Sequence, residues 1–171
     1  SENIPTEVYD NLISAVGENM TPLYKYFAIR KRILKLEELH IYDTSVPLVK
    51  DVQWHVGYND SVRKVIDSLQ PLGSDYTETL EKGLLDNRWV DRYESKGKRS
   101  GAYSSGCYDS NPFILMNYRE DAINSMYTLA HEAGHSMHSL LARETQPYLY
   151  ADYAIFVAEV ASTFNEALLT K

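Results

Sequence analysis

Residues 125–141 read SMYTLAHEAGHSMHSLL, and this stretch decides the fold expected for the chain. Its apolar residues recur at helical spacing, which predicts a largely buried helix over about 121–143. Gly134 lies mid-helix at a cost of about 1 kcal/mol relative to Ala, and with Ala133 it would let another element approach closely. Pro147 breaks the helical pattern, and a last helix is predicted from Asp152 to the C-terminus. The two helices are therefore expected to form an antiparallel hairpin.

The same stretch carries a metal-binding pattern. His131 and His135 are four residues apart, so on a helix they share one face and can hold one Zn²⁺ between neutral imidazoles. Glu132 lies about 100° round the helix, where its carboxylate can take a proton from metal-bound water. This is the logic of the HExxH motif. The alternative is an exposed helix with two surface histidines, but the apolar surroundings and Gly134 favour a metal site.

The hairpin also provides a third ligand. Glu159 lies 12 residues after Pro147 and His135 lies 12 residues before it, so the two side chains fall level across the hairpin. A carboxylate at this level completes three protein ligands and leaves a fourth position for water, as a catalytic zinc site requires. The alternative is a solvated acidic face, but the helix around Glu159 is too apolar to be mostly wet.

Two further side chains are expected around the metal. Glu166 lies seven residues beyond Glu159 on the same helical stripe, close to His131 across the hairpin, where it can fix the tautomer of an imidazole. His138 shares the face of His131 but lies ~10 Å from it along the helix axis, too far for the same ion, and is expected to line or support the site. His40 and His55 are predicted to be surface residues.

Composition excludes several classes of protein. The chain has 171 residues, 44% of them hydrophobic, which predicts one globular domain. A net charge of −7 argues against a nucleic-acid partner. The single cysteine, Cys107, excludes an intrachain disulfide and is compatible with a reducing cytoplasm. The first residues show no signal-peptide pattern, and no apolar run is long enough to span a membrane.

The remaining elements predict a mostly α fold with a small β-sheet (α+β) over a single domain, 1–171. Residues 1–87 are expected to be helical, 88–118 to form a small sheet of two or three strands, and 119–171 to hold the HExxH and third-ligand helices. The early helices are placed at 6–16, 21 to about 40, 58–69 and 74–85, with 41–57 irregular. The helical pattern continues to Lys171 without a stop signal, which indicates a truncated domain.

Several motifs in order resemble one known family, the oligoendopeptidase F branch of the thimet-oligopeptidase-like metallopeptidases. They are residues 131–138 (HEAGHSMH), 156–162 (FVAEVAS) with Glu166, 88–91 (RWVD), 98–104 (KRSGAYS) and 111–114 (NPFI). The resemblance extends from about Leu23 onward. Ala133 stands where bulkier apolar residues are common, and Cys107 where glycine is usual.

The resemblance implies a zincin-like catalytic core from a cytoplasmic zinc endopeptidase that cuts short peptides inside a largely helical fold. By position, His131, His135 and Glu159 would bind one Zn²⁺ per chain, and Glu132 would be the general base. The strand with Gly101, Ala102, Tyr103 and Ser104 would line the substrate cleft, because an extended peptide can add to a sheet edge. Neither a nucleic-acid nor a membrane partner is expected, and oligomeric state is left open.

Length separates this chain from that family. Members are much longer, and the tyrosine and histidine residues thought to stabilise the oxyanion come after the position of Lys171. Three hypotheses therefore stand. The chain is an active zinc oligopeptidase core, or it binds zinc or peptide with little or no hydrolysis, or it is a metal-free helical interaction domain. The ligand set favours the first two.

Overall fold

Helices fill most of residues 3–49 and 52–171, the part of the chain that this computed structural model describes. Three short strands lie between the fourth and fifth helices. The mostly α fold with a small sheet that the sequence predicts is therefore confirmed. The sequence also predicts one domain, whereas backbone contacts divide the chain into unit 1, Ser1–Val52, and unit 2, Gln53–Lys171.

Unit 1 is helical. Its elements are α1 (Thr6–Glu18), α2 (Thr21–Leu34) and a 3-10 turn at Ile41–Ser45. The second helix ends about six residues before the predicted end near His40. Lys35 takes the left-handed conformation, with φ of 56°, and its N–H donates to the carbonyl of Arg32, which closes the last turn.

Unit 2 holds the remaining elements. They are α3 (Tyr58–Ser68), α4 (Ser74–Leu85), β1 (Val90–Asp91), β2 (Tyr103–Ser105), β3 (Phe113–Leu115), α5 (Ile123–Thr145) and α6 (Ile155–Thr170). The last helix begins three residues later than predicted, after a 3-10 turn at Tyr148–Tyr150. The Tyr153 ring stacks on His138, and its hydroxyl bonds Ser139, so α5 holds this residue outside the helix.

The three strands form one sheet in the order β1-β3-β2. Strand β1 pairs with β3 in parallel, and β2 pairs with it antiparallel, with Ser104 opposite Ile114. Strand β2 is therefore an edge strand. Side chains alternate along it and the residue before it: Ala102 and Ser104 are half-buried, whereas Tyr103 and Ser105 are exposed. The half-buried side faces α5, because the Ser104 hydroxyl bonds Ser136 of that helix.

Helix α5 passes through the core of unit 2. Its buried apolar side chains are Met126, Leu129, Ala130, Ala133 and Met137. They join one cluster with buried side chains from α3, from α4, and from β3 and the residue after it: Val62, Val65, Leu80, Leu84, Ile114 and Met116. A helix buried on this scale has few ways to shift or rotate, because protein interiors are close-packed.

Gly134 marks a close approach of α5 and α6. A Cβ added there would lie 2.6 Å from the Cα of Ser162 and 2.7 Å from the carbonyl oxygen of Ala161. Both neighbours are backbone atoms, so they cannot move aside as a flexible side chain would. The close approach predicted from Gly134 is confirmed, and the element that approaches is α6.

Replacing Gly134 with alanine is expected to destabilise the chain, although alanine is the better helix former by about 1 kcal/mol. Overpacking typically costs about 1–3 kcal/mol, and the added methyl meets backbone. The free energy of unfolding of Gly134→Ala, measured by urea titration, should therefore be lower than that of the unmodified chain.

Gly17 provides the matched control. It lies in α1, and an added Cβ would meet nothing within 4 Å. Gly17→Ala should be neutral or stabilising by up to about 1 kcal/mol. If both substitutions stabilised the protein equally, the α5–α6 contact would not be as close as described.

Candidate metal centre

Three side chains from α5 and α6 converge on one point. The Nε2 atoms of His131 and His135 lie 3.2 Å apart. Oε2 of Glu159 lies 3.3 Å from the first of these nitrogens and 3.4 Å from the second. The three atoms therefore form a nearly equilateral triangle, and they are the His/His/Glu cluster that could hold a metal ion.

The triangle fits tetrahedral zinc. Ligands at about 2.0–2.1 Å in tetrahedral geometry are about 3.3–3.4 Å from one another, close to the three measured separations. Two imidazoles and one carboxylate are also a donor set of catalytic zinc sites, which keep the fourth position open. The residues present thus fit the ion in both chemistry and spacing.

Helix geometry and one glycine set this arrangement. His131 and His135 are one turn apart, with ring centroids 4.8 Å apart and ring planes at 80°. Gly134 lies between them and contacts α6 at Ser162, one turn after Glu159. This close contact is therefore at the height of the candidate site, where a carboxylate on α6 reaches two histidines on α5.

Glu166 lies behind His131, on the side away from the triangle. Its Oε1 accepts a hydrogen bond from Nδ1 of His131. A proton on Nδ1 leaves Nε2 with a free lone pair pointing at the triangle, which is the tautomer that a metal ligand needs. The hairpin brings this pair together as the sequence reasoning expects.

Glu132 faces the β2 side of α5 and is only 7% exposed. Burial raises the pKa of its carboxyl group, and the neighbouring His131, His135 and backbone N–H of Ser104 partly oppose the rise. A carboxylate with a raised pKa beside a metal site is suited to accept and return a proton.

Strand β2 is tied to the same helix by a pair of hydroxyl groups. Oγ of Ser104 lies 2.8 Å from Oγ of Ser136, which is fully buried. Ser136 is one turn beyond Glu132, so the strand meets α5 on the face that presents the carboxylate. The sheet edge and the candidate base are thereby held in one position relative to each other.

The predicted cleft residues lie on different sides of the sheet. Ala102 lines a cavity of about 360 Å³ together with His131, Glu132 and Glu166. Gly101 lines an adjoining cavity of about 180 Å³ that shares Ala102 and Thr128. Tyr103 instead lines a larger cavity, about 690 Å³, on the face carrying Ser105 and Phe113. The cavity of about 360 Å³ is the relevant one, because His131 and Glu132 line it.

His138 contacts a residue outside the triangle. Its ring stacks on Tyr153 at 3.8 Å between centroids. Burial lowers the pKa of His138, and its Nδ1 has no hydrogen-bond partner among the described residues. It packs the end of the loop before α6 against α5.

Three buried polar residues near the site were missed by the sequence reasoning. Ser136 and Ser162 are fully buried, and Asn165 donates to the Ala130 carbonyl. Each serine lies one turn after a predicted functional glutamate, four residues after Glu132 and three after Glu159. That spacing could have identified the two serines, since a polar residue on the buried side of an apolar helix needs a hydrogen-bond partner.

Two relatives of this chain are much longer than it is. It is 53% identical to Oligopeptidase PepF of Bacillus subtilis over 169 residues, which are 99% of this chain and 25% of that protein. It is 47% identical to an oligoendopeptidase F homolog of Borreliella burgdorferi, over all of this chain and 29% of that protein. The chain thus spans between a quarter and a third of the length of these relatives.

Solved structures of longer proteins also resemble this chain. A crystal structure from Chlamydophila abortus superposes with a TM-score of 0.82 at 48% identity, over 98% of this chain and 28% of that one. Oligoendopeptidase-F from Enterococcus faecium gives 0.56 at 26% identity, over 99% and 21%. A model of Peptidase family M3 matches residues 1–171, and the protein therefore belongs to Peptidase family M3.

Proposed function

We propose that this chain carries the zinc centre of an endopeptidase that hydrolyses short oligopeptides, with one zinc ion bound by His131, His135 and Glu159. The observation that carries the proposal is the triangle of 3.2–3.4 Å between their three donor atoms. The family and the names of the relatives support a peptidase.

The chemistry assigned to each residue follows from its position. A bound zinc ion would lower the pKa of water and polarise the scissile carbonyl. Glu132 accepts the proton of the attacking water and returns it to the leaving amine, for which its raised pKa is favourable. Glu166 holds the imidazole of His131 in the metal-binding tautomer.

The substrate would lie along β2. This is an edge strand, so an extended peptide can add to it through main-chain hydrogen bonds. The half-buried Ala102 side of the strand borders the cavity that contains Glu132 and His131. A peptide on this edge would pass the triangle and the base together, which suits cleavage within a chain.

A second candidate function is binding of zinc or peptide without efficient hydrolysis. In this alternative the chain hydrolyses little peptide, because hydrolysis needs oxyanion-stabilising residues that lie outside this chain. The length of the relatives is the observation behind this alternative. A missing oxyanion donor often costs about 10²–10³ in rate, so the two functions are separable by assay.

A cytoplasmic location is part of the proposal and rests on the resemblance to cytoplasmic peptidases. Among the residues described by the structure, no helix combines the length and the apolar character that a membrane span requires.

Elemental analysis of the purified chain should find about one zinc per chain. His131→Ala and Glu159→Ala should each reduce zinc content, because two remaining ligands hold the ion far less tightly. His55→Ala is the control, since this histidine is exposed and contacts Glu120 instead. Zinc content that survives both site substitutions unchanged would refute the metal centre.

Glu132→Gln should keep zinc and lose peptide hydrolysis by about 10²–10⁴-fold, because glutamine preserves the shape but cannot accept a proton. Cleavage of a quenched fluorescent peptide measures this, in the chain and in a form extended to the length of its relatives. Activity only in the extended form would support the second function. Undiminished activity of Glu132→Gln would exclude Glu132 as the base.

Glu166→Ala should weaken zinc binding by about 10–100-fold, because His131 loses the partner that fixes its tautomer. Competition with a chromophoric chelator measures the dissociation constant. Glu144→Ala, an exposed change at the far end of α5, is the control. Equal affinity for both variants would mean that Glu166 does not act on the metal.

A further inference from the structure

A buried serine on α6 contacts the candidate ligand Glu159 directly. Oγ of Ser162 lies 2.9 Å from Oε2 of Glu159, the same oxygen that faces both histidines. The side chain of Glu159 is 62% exposed, so packing alone does little to hold it in one rotamer. Ser162 is fully buried and therefore fixed.

The Ser162 hydroxyl has one hydrogen and two nearby acceptors. The second acceptor is the main-chain carbonyl of Glu159, at 3.0 Å. That carbonyl already accepts a hydrogen bond from the Thr163 hydroxyl. An ionised carboxylate is also the stronger acceptor. The hydrogen of Ser162 is therefore directed to Glu159 Oε2.

The position of Ser162 is set by α5. Its Cα is the atom that would lie 2.6 Å from a Cβ on Gly134, so the backbone of this residue packs directly against α5. Ser162 is also fully buried, so a larger side chain there would have to displace neighbouring atoms. Alanine would satisfy the packing equally well, whereas only serine also supplies a donor to the carboxylate.

We propose that Ser162 is a positioning residue for the metal ligand Glu159: its backbone packs against Gly134, and its hydroxyl fixes the carboxylate so that Oε2 completes the triangle. The inference rests on the proposed zinc centre and adds a residue to it. Hydrogen-bond partners of metal ligands orient them and typically contribute 10–100-fold to affinity. The exposed Glu159 is the ligand that most needs such a partner, since each histidine is far more buried.

The test compares zinc affinity in Ser162→Ala with that of the unmodified chain, by competition with a chelator. The expected result is a loss of about 10–100-fold. Thr163→Ala is the matched control, because it removes a neighbouring hydroxyl that bonds Glu159 only at its main-chain carbonyl. A change of about twofold or less is expected there, as for an ordinary surface substitution.

A double-mutant cycle separates positioning from general destabilisation. If Ser162 acts through the carboxylate, Ser162→Ala should have no further effect on zinc affinity in a Glu159→Ala background. A merely structural effect would lower affinity by the same factor in both backgrounds, and that result would overturn the proposal.

Cobalt provides a spectroscopic readout of the ligand geometry. The visible absorption bands of bound Co²⁺ should change in Ser162→Ala and remain as in the unmodified chain in Thr163→Ala. Zinc bound with equal affinity by Ser162→Ala and the unmodified chain would overturn this inference and leave the zinc centre standing. Failure of the unmodified chain to bind zinc would overturn both.

Discussion

The contact between Gly134 and the backbone of Ala161 and Ser162 is the constraint on which the candidate site depends. Only a residue without a side chain allows α5 and α6 to approach so closely. The contact falls at the height of the two histidines, so it sets the distance from their nitrogens to Glu159. A wider separation of the helices would leave the histidines as an ordinary exposed pair, because a carboxylate could not reach both.

The three donor atoms of the triangle repel one another when none of them carries a proton. Two imidazole nitrogens and one carboxylate oxygen lie within 3.2–3.4 Å of one another, and unprotonated groups at such distances repel. A proton or a metal cation at the centre relieves the repulsion. Glu166 engages Nδ1 of His131 and so directs Nε2 inward. Metal binding to such a cluster releases protons, which couples affinity to pH.

The small sheet is held in a fixed position beside the candidate site. Edge strand β2 is attached to α5 by the Ser104–Ser136 hydroxyl pair, one turn beyond Glu132. Because α5 packs in the core of unit 2, the strand, the candidate base and two of the candidate donors share one rigid support. Residues from α6 are less buried, and Glu159 therefore depends on local partners such as Ser162 for its orientation.

Local sequence determined much of this protein. Helical periodicity, the break at Pro147 and the spacing of His131, Glu132 and His135 were sufficient to predict the hairpin and the pattern of its donors, because these are short-range properties. The end of α2 was predicted wrongly. Lys35 ends the helix by taking a left-handed backbone conformation, and the spacing of apolar residues carries no information about the conformation of one residue. Only the tertiary structure decided the separations of the donor atoms, the division of the β2 residues between two faces, and the partners of the buried serines. These features depend on contacts between residues far apart in the chain, so they cannot be predicted from the spacing of residues along one helix.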